Sequence, residues 1–157
     1  MIRYKQLVTL KIIDKENRQP IGKILDLIYS HDYKKVAYIV VKNNNLIKNK
    51  APIPYENINF LNSNQGLYLD NIQVFEEQLE EVIEEFQFID KEVRGEDGES
   101  IGYIKDLVIN KEDGSIGGFI ITEGVIEDLI KGRNYIPLLE NIIIKDEFIT
   151  VPSDIFN

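Results

Sequence analysis

The stretch IGKILDLIYS at residues 21–30 is answered by IGYIKDLVIN at residues 101–110. Sliding the chain over itself by 80 positions places Ile21, Gly22, Ile24, Asp26 and Leu27 on Ile101, Gly102, Ile104, Asp106 and Leu107, and Ile28 on Val108. In the same register VAYIVV (36–41) falls on IGGFII (116–121), and IPYENI (53–58) then meets IPLLENI (136–142) with one inserted residue. Each half ends in a short alternating segment, GLYL at 66–69 and EFITV at 147–151. One internal duplication accounts for the whole ordered series, whereas chance would have to place like features in like order several times. The expectation is two small similar domains, at 1–74 and 87–157.

Each half reads as all-β. Runs rich in Ile, Val, Tyr and Phe alternate with turn residues at short spacing, the pattern of a small barrel or sandwich. Asp113-Gly114 is a hairpin turn between two such runs, and SHDYKK holds the same place in the first half. Pro52, Pro54 and Pro137 lack an amide proton and suit strand starts or sheet edges. Units of this size close most economically as barrels, because closure removes exposed edges. Between the halves, FEEQLEEVIEEF (75–86) spaces Phe75, Leu79, Val82, Ile83 and Phe86 for one face of an amphipathic helix. Its glutamates crowd each other, so the apolar stripe must pack on something. An interdomain linker helix is the expectation, with a coiled-coil homodimer seam as the sharper alternative.

Composition narrows the function classes. A net charge of −9 and a pI near 4.7 work against a phosphate backbone or anionic lipid. No direct nucleic-acid binding is expected. Lys42, Lys48 and Lys50, and Lys131 with Arg133, read as solvated loop charges. The chain has no cysteine, which removes disulfides, thiolate metal sites and cysteine nucleophiles. It has no 18-residue apolar run, and MIRYKQLVTLKIID carries charges where a signal peptide would be apolar. A cytoplasmic protein with no membrane insertion is the expectation.

No catalytic constellation assembles from the residues. His31, the one histidine, sits beside Asp32 at a hairpin tip and reads as an exposed turn. RGEDGES (94–100) lacks EF-hand ligand spacing and reads as a solvated turn. Gly114, Gly117 and Gly118 form neither GxGxxG nor a Walker A sequence. Neither a cofactor, a metal nor an enzymatic activity is expected. Asp26 and Asp106 stand in apolar runs, where an unpaired carboxylate would be expensive. They are expected to fix a bulge through backbone hydrogen bonds, or alternatively to form a paired acidic feature that meets a partner. Gly22 and Gly102 permit a close backbone approach. The insertion GVIEDLIKGRNY (124–135) can fold into a short helix presenting Val125, Ile126, Leu129 and Ile130, the candidate partner surface, with Gly132 as its cap.

The phrase IG.I.DL, the following apolar strand and the return through IP..NI resemble the PRC-barrel family, named for the photosynthetic reaction centre's H subunit. The resemblance covers two copies, roughly 5–72 and 87–155. It implies a barrel fold in which Gly22, Asp26, Pro54, Gly102, Asp106 and Pro137 are structural. It also implies a protein that binds partners and catalyses nothing, as in the ribosome-maturation factor and the small sporulation-associated members. Two departures narrow the match: no transmembrane helix is visible, and no separate domain of the ribosome-maturation type precedes the first barrel. The leading expectation is a protein-interaction module or adaptor tied to envelope or sporulation processes. A ribosome-assembly factor that docks on a ribosomal protein is the first alternative. A small-ligand or ion sensor in the interdomain cleft is the second.

Overall fold

The computed structural model of the chain describes residues 1–43, 49–60, 66–69, 86–122 and 134–155. A two-residue strand β1 (Ile2–Arg3) and a single helical turn α1 (Tyr4–Leu7) precede the first sheet. That sheet comprises β2 (Lys11–Asp14), β3 (Pro20–Tyr29), β4 (Val36–Lys42), β5 (Lys50–Pro54), β6 (Asn59–Phe60) and β7 (Gly66–Leu69). The second comprises β8 (Glu92–Gly95), β9 (Ser100–Ile109), β10 (Ile116–Ile121), β11 (Tyr135–Pro137), β12 (Ile143–Ile144) and β13 (Phe148–Val151), with β1 added on β9. Their strand orders, β5-β4-β3-β2-β7-β6 and β11-β10-β9-β8-β13-β12, are the same topology written twice. In each, the closing strand pairs in parallel with the opening one, β7 with β2 and β13 with β8, and every other pairing is antiparallel. The sheets curl over a shared core, and the architecture is all-β as the sequence predicts.

The repeated phrase has a mechanical explanation. Ile24 and Leu27 are three residues apart, so a regular strand would put them on opposite faces. Both are buried, and so are Ile104 and Leu107. A register shift between Ile24 and Asp26, matched by one between Ile104 and Asp106, inserts an extra residue and turns both apolar side chains inward. The bulged residues face outward: Leu25 is exposed and so is Lys105. Upstream, Gly22 lies against the end of β4, where an added Cβ would stand 2.3 Å from the Lys42 carbonyl oxygen. Gly102 meets the equivalent carbonyl, of Thr122, at 3.2 Å.

The edges also follow the sequence. β5 and β11 pair with one neighbour each, so Pro54 (opposite Tyr38) and Pro137 (opposite Gly118) break no ladder. Lys42 and Lys50 differ from expectation: they are not loop residues but face each other as the outer pair of β4 and β5. The linker-helix residues 75–85 lie outside the described residues, as do Val125, Ile126, Leu129 and Ile130 of the candidate partner surface.

The two sheets meet about a local pseudo-twofold axis. Lys35 and Ser115, equivalent positions 80 residues apart, form an antiparallel bridge. On either side of it the Val36 amide donates to the Gly114 carbonyl and the Ile116 amide donates to the Lys34 carbonyl, both at 2.8 Å. A contact in which residue i meets j and the equivalent of j meets the equivalent of i is the isologous geometry of a dimer, here inside one chain. The buried residues of both halves form one continuous cluster. Phe88, fully buried, bridges it: its ring lies 4.7 Å from that of Tyr29 and 5.4 Å from that of Phe119.

Candidate functional site

The two aspartates of the repeated phrase face the junction between the sheets, and each anchors the segment that leads into the other half. Asp106, 5% exposed, accepts from the Leu107 amide at 2.9 Å and from the Lys5 amide at 3.1 Å. Asp26 accepts from the Leu27 amide at 2.8 Å and from the Gln87 side-chain amide at 3.2 Å. One bond in each set shapes the bulge and the other crosses between halves. The crossing is reinforced by β1, which pairs with β9 through Ile2 opposite Ile109 and Arg3 opposite Val108. On the other side Phe86 and Phe88 pack against Tyr29 and Tyr33. The straps are thus exchanged between the sheets.

Tyr4 of α1 sits where these elements converge. Its phenol is raised from its ordinary pKa by burial first and then by the negative charges of Asp26 and Asp106. Tyr29 is raised well above the usual range, by burial, then by Tyr4 and Asp26. The Asp26 carboxyl is itself pushed up by burial, which outweighs the Leu27 amide that favours its charged form. Across the junction, Tyr55 donates its hydroxyl to the Lys111 carbonyl at 2.9 Å, and burial followed by the Asp113 charge raises its pKa too. These phenols therefore share one linkage. Below about pH 10 they are neutral in both folded and unfolded chains, and their contribution to stability is fully present. As the pH rises further the unfolded chain releases its protons first, so stability is lost through the range up to the folded pKa values. Alkaline titration should show tyrosinate absorbance appearing together with loss of the native circular-dichroism signal. Tyr55→Phe should lower stability at neutral pH by about 1 kcal/mol and make the alkaline loss shallower. Phenols that ionise at about pH 10 in an intact fold would contradict this.

The remaining sequence candidates have plainer roles. His31 is exposed in the β3–β4 turn, in which Asp32 accepts from the Ser30 hydroxyl at 2.7 Å and the Lys34 amide at 3.0 Å. The 94–100 segment is a hairpin turn closed by the Gly95 amide on the Glu99 carbonyl, with Asp97 accepting from the Glu99 amide. Among the described residues no three His, Asp or Glu side chains are grouped to hold a metal ion.

What the sequence did not disclose are the grooves around the Lys35–Ser115 bridge; one of about 390 Å³ is lined by both bridge residues with Ser30, His31, Asp32 and Lys34, and two more lie nearby. The first of these two, about 440 Å³, is lined by Glu56, Glu112, Asp113 and Lys35 together with Val36, Ala37, Tyr38, Pro54 and Tyr55. The second, about 270 Å³, lies between the β3–β4 turn and the segment joining β11 to β12. His31, Asp32, Tyr33 and Lys34 line one side, and Leu138, Leu139, Glu140, Ile142 and Ile144 line the other. The difference follows from the duplication register. Leu138-Leu139 stand where the first half has Tyr55, and the strand pairing sets Ile143 where it has Asn59 and Ile144 where it has Phe60. Of the lining residues Leu139 is 47% exposed, and Ile143, 54% exposed, lies outside the groove. The inserted leucine was visible in the alignment of the halves as a change of length, not as a surface.

Among the described residues no helix is long and apolar enough to cross a membrane. No curated protein matches the chain by sequence. Residues 80–155 match the PRC-barrel domain, a span that takes in β8 to β13. The chain thus carries a PRC-barrel domain at residues 80–155, and its first sheet has the same strand order.

Proposed function

We propose that this protein is a non-enzymatic, cytoplasmic protein-interaction module, an adaptor whose two sheets form one scaffold and whose second sheet carries the binding face. The observation that supports this is the exposed Leu139 in a groove that Leu138, Ile142 and Ile144 also line, with His31, Asp32, Lys34 and Glu140 as its polar members. Aliphatic side chains gathered at a concave surface favour binding of an apolar partner group, because burial removes them from water. The carboxylates of the repeated phrase accept backbone and side-chain amides, which is a positioning role. The acidic net charge suits a protein partner rather than a nucleic acid. The resemblance to sporulation-associated members makes envelope and sporulation complexes the first place to look.

The test is capture from native lysate by the wild-type chain and by a Leu139→Asp variant. The position is exposed, so the variant should keep its melting temperature to within about 2 °C. The expected result is a discrete partner held by the wild type and lost from the variant. Identical protein sets on both, or nothing beyond the resin control, would sink the reading.

A further inference from the structure

We infer that Tyr55 and Gly114 decide what the junction face of the first half pairs with: it fits a second half, here supplied by the same chain, and does not fit another copy of itself. The two sheets share one strand order, and the crossing bonds Val36–Gly114 and Ile116–Lys34 run between backbone atoms. An isologous junction of this kind closes as readily between two first halves or two second halves, as far as the backbone is concerned. The choice among these pairings therefore falls to side chains.

On one side of the axis Tyr55 leaves the end of β5 and its ring covers Gly114 in the β9–β10 turn. A Cβ added to Gly114 would stand 2.9 Å from the Tyr55 Cδ1 and 3.0 Å from the Val36 carbonyl oxygen. Carbon atoms in contact ordinarily keep about 3.5–4.0 Å. The Tyr55 hydroxyl then closes the contact on the Lys111 carbonyl at 2.9 Å. Gly114 is also left-handed, with φ of 77°, a conformation that glycine adopts at little cost. The first half takes its left-handed residue one place earlier, at Tyr33 with φ of 59°, and sets Lys34 where the second half has Gly114. First on first would press the Tyr55 ring against the Lys34 side chain. On the other side of the axis Lys34 instead lines a groove with Leu138 and Leu139, which hold the place of Tyr55. Second on second would lay those leucines over Gly114 and lose the hydroxyl bond to the Lys111 carbonyl. Each like pairing forfeits what the unlike pairing makes, and the overlap weighs most heavily against first on first.

Four full-length chains reproduce the pairings at this one contact: the wild type, Gly114→Lys for first on first, Tyr55→Leu for second on second, and the double variant, which copies the opposite side of the axis. Amide exchange at Val36 and Ile116, the two donors across the axis, reads the junction. Tyr55→Leu should speed it about five- to tenfold, the loss of one net hydrogen bond. Gly114→Lys should speed it about 100-fold. The decisive result is a change of sign: added to Gly114→Lys, the same Tyr55→Leu substitution should slow exchange, by about fivefold. Gly114→Ala, which adds only the Cβ, serves if the lysine variant does not fold, and its loss should be smaller beside Tyr55→Leu than in the wild type. Equal acceleration by the Gly114 substitutions with and without Tyr55→Leu would assign the cost to backbone strain within the turn and overturn the inference. So would a Gly114→Lys chain whose Val36 and Ile116 amides exchange as slowly as those of the wild type.

Discussion

Phe88→Ala is expected to lower the free energy of unfolding by about 3–5 kcal/mol, and the melting temperature by about 10 °C or more. Phe88 is fully buried, and its ring touches Tyr29 in the first sheet and Phe119 in the second, so the lost volume lies between two sheets. A cavity there can collapse only if the sheets move toward each other, and the Val36–Gly114 and Ile116–Lys34 hydrogen bonds hold that spacing. Phe88→Leu, which keeps most of the apolar volume, should recover a large part of the loss. Chemical denaturation followed by tyrosine fluorescence measures both. A Phe88→Ala chain that unfolds within about 1 kcal/mol of the wild type would mean that the sheets do not share this core.

Gly22→Val is the second large effect, expected to cost about 3 kcal/mol or more. The added Cβ would sit 2.3 Å from the Lys42 carbonyl oxygen and 3.0 Å from the Val41 Cγ1. The obstacle is backbone at the end of β4, opposite β3, so relief requires opening the ladder at Lys23–Lys42. Gly102→Val should act in the same direction on the second sheet, where the Thr122 carbonyl stands 3.2 Å from the position of a Cβ. Thermal melts of the two variants compare the halves directly; wild-type melting for either would show that the close approach is not needed there.

These two residues illustrate what a single sequence discloses and what it withholds. Gly22 and Gly102 were legible because the chain states the same requirement twice, and the odd spacing of Ile24 and Leu27 already implies a bulge. The prolines at 54 and 137 were legible for a local reason, the missing amide proton. Phe88 and Tyr4 were not, because their burial comes from the opposite half: the Lys5–Asp106 hydrogen bond spans 101 residues. Nothing in the local pattern of the lead-in segments announces that the straps are exchanged. The groove beside the β3–β4 turn was hidden for a related reason. Leu139 looks like an ordinary strand or core residue until the fold sets which face is covered. Lys42 and Lys50 erred the other way, since polar composition suggested loop where strand pairing prevailed.

The central claim is that the two sheets of like strand order form one body through an isologous junction within the chain. Amide hydrogen exchange at Val36 and Ile116, the two donors that cross the pseudo-twofold axis, tests it most directly. If the claim holds, both amides exchange only through global unfolding, with the same opening free energy as the strand-interior amides of β4 and β10 and the same response to denaturant. If the sheets separate while each stays folded, Val36 and Ile116 will exchange faster than those interior amides and with little dependence on denaturant, and the junction described here would not exist in solution.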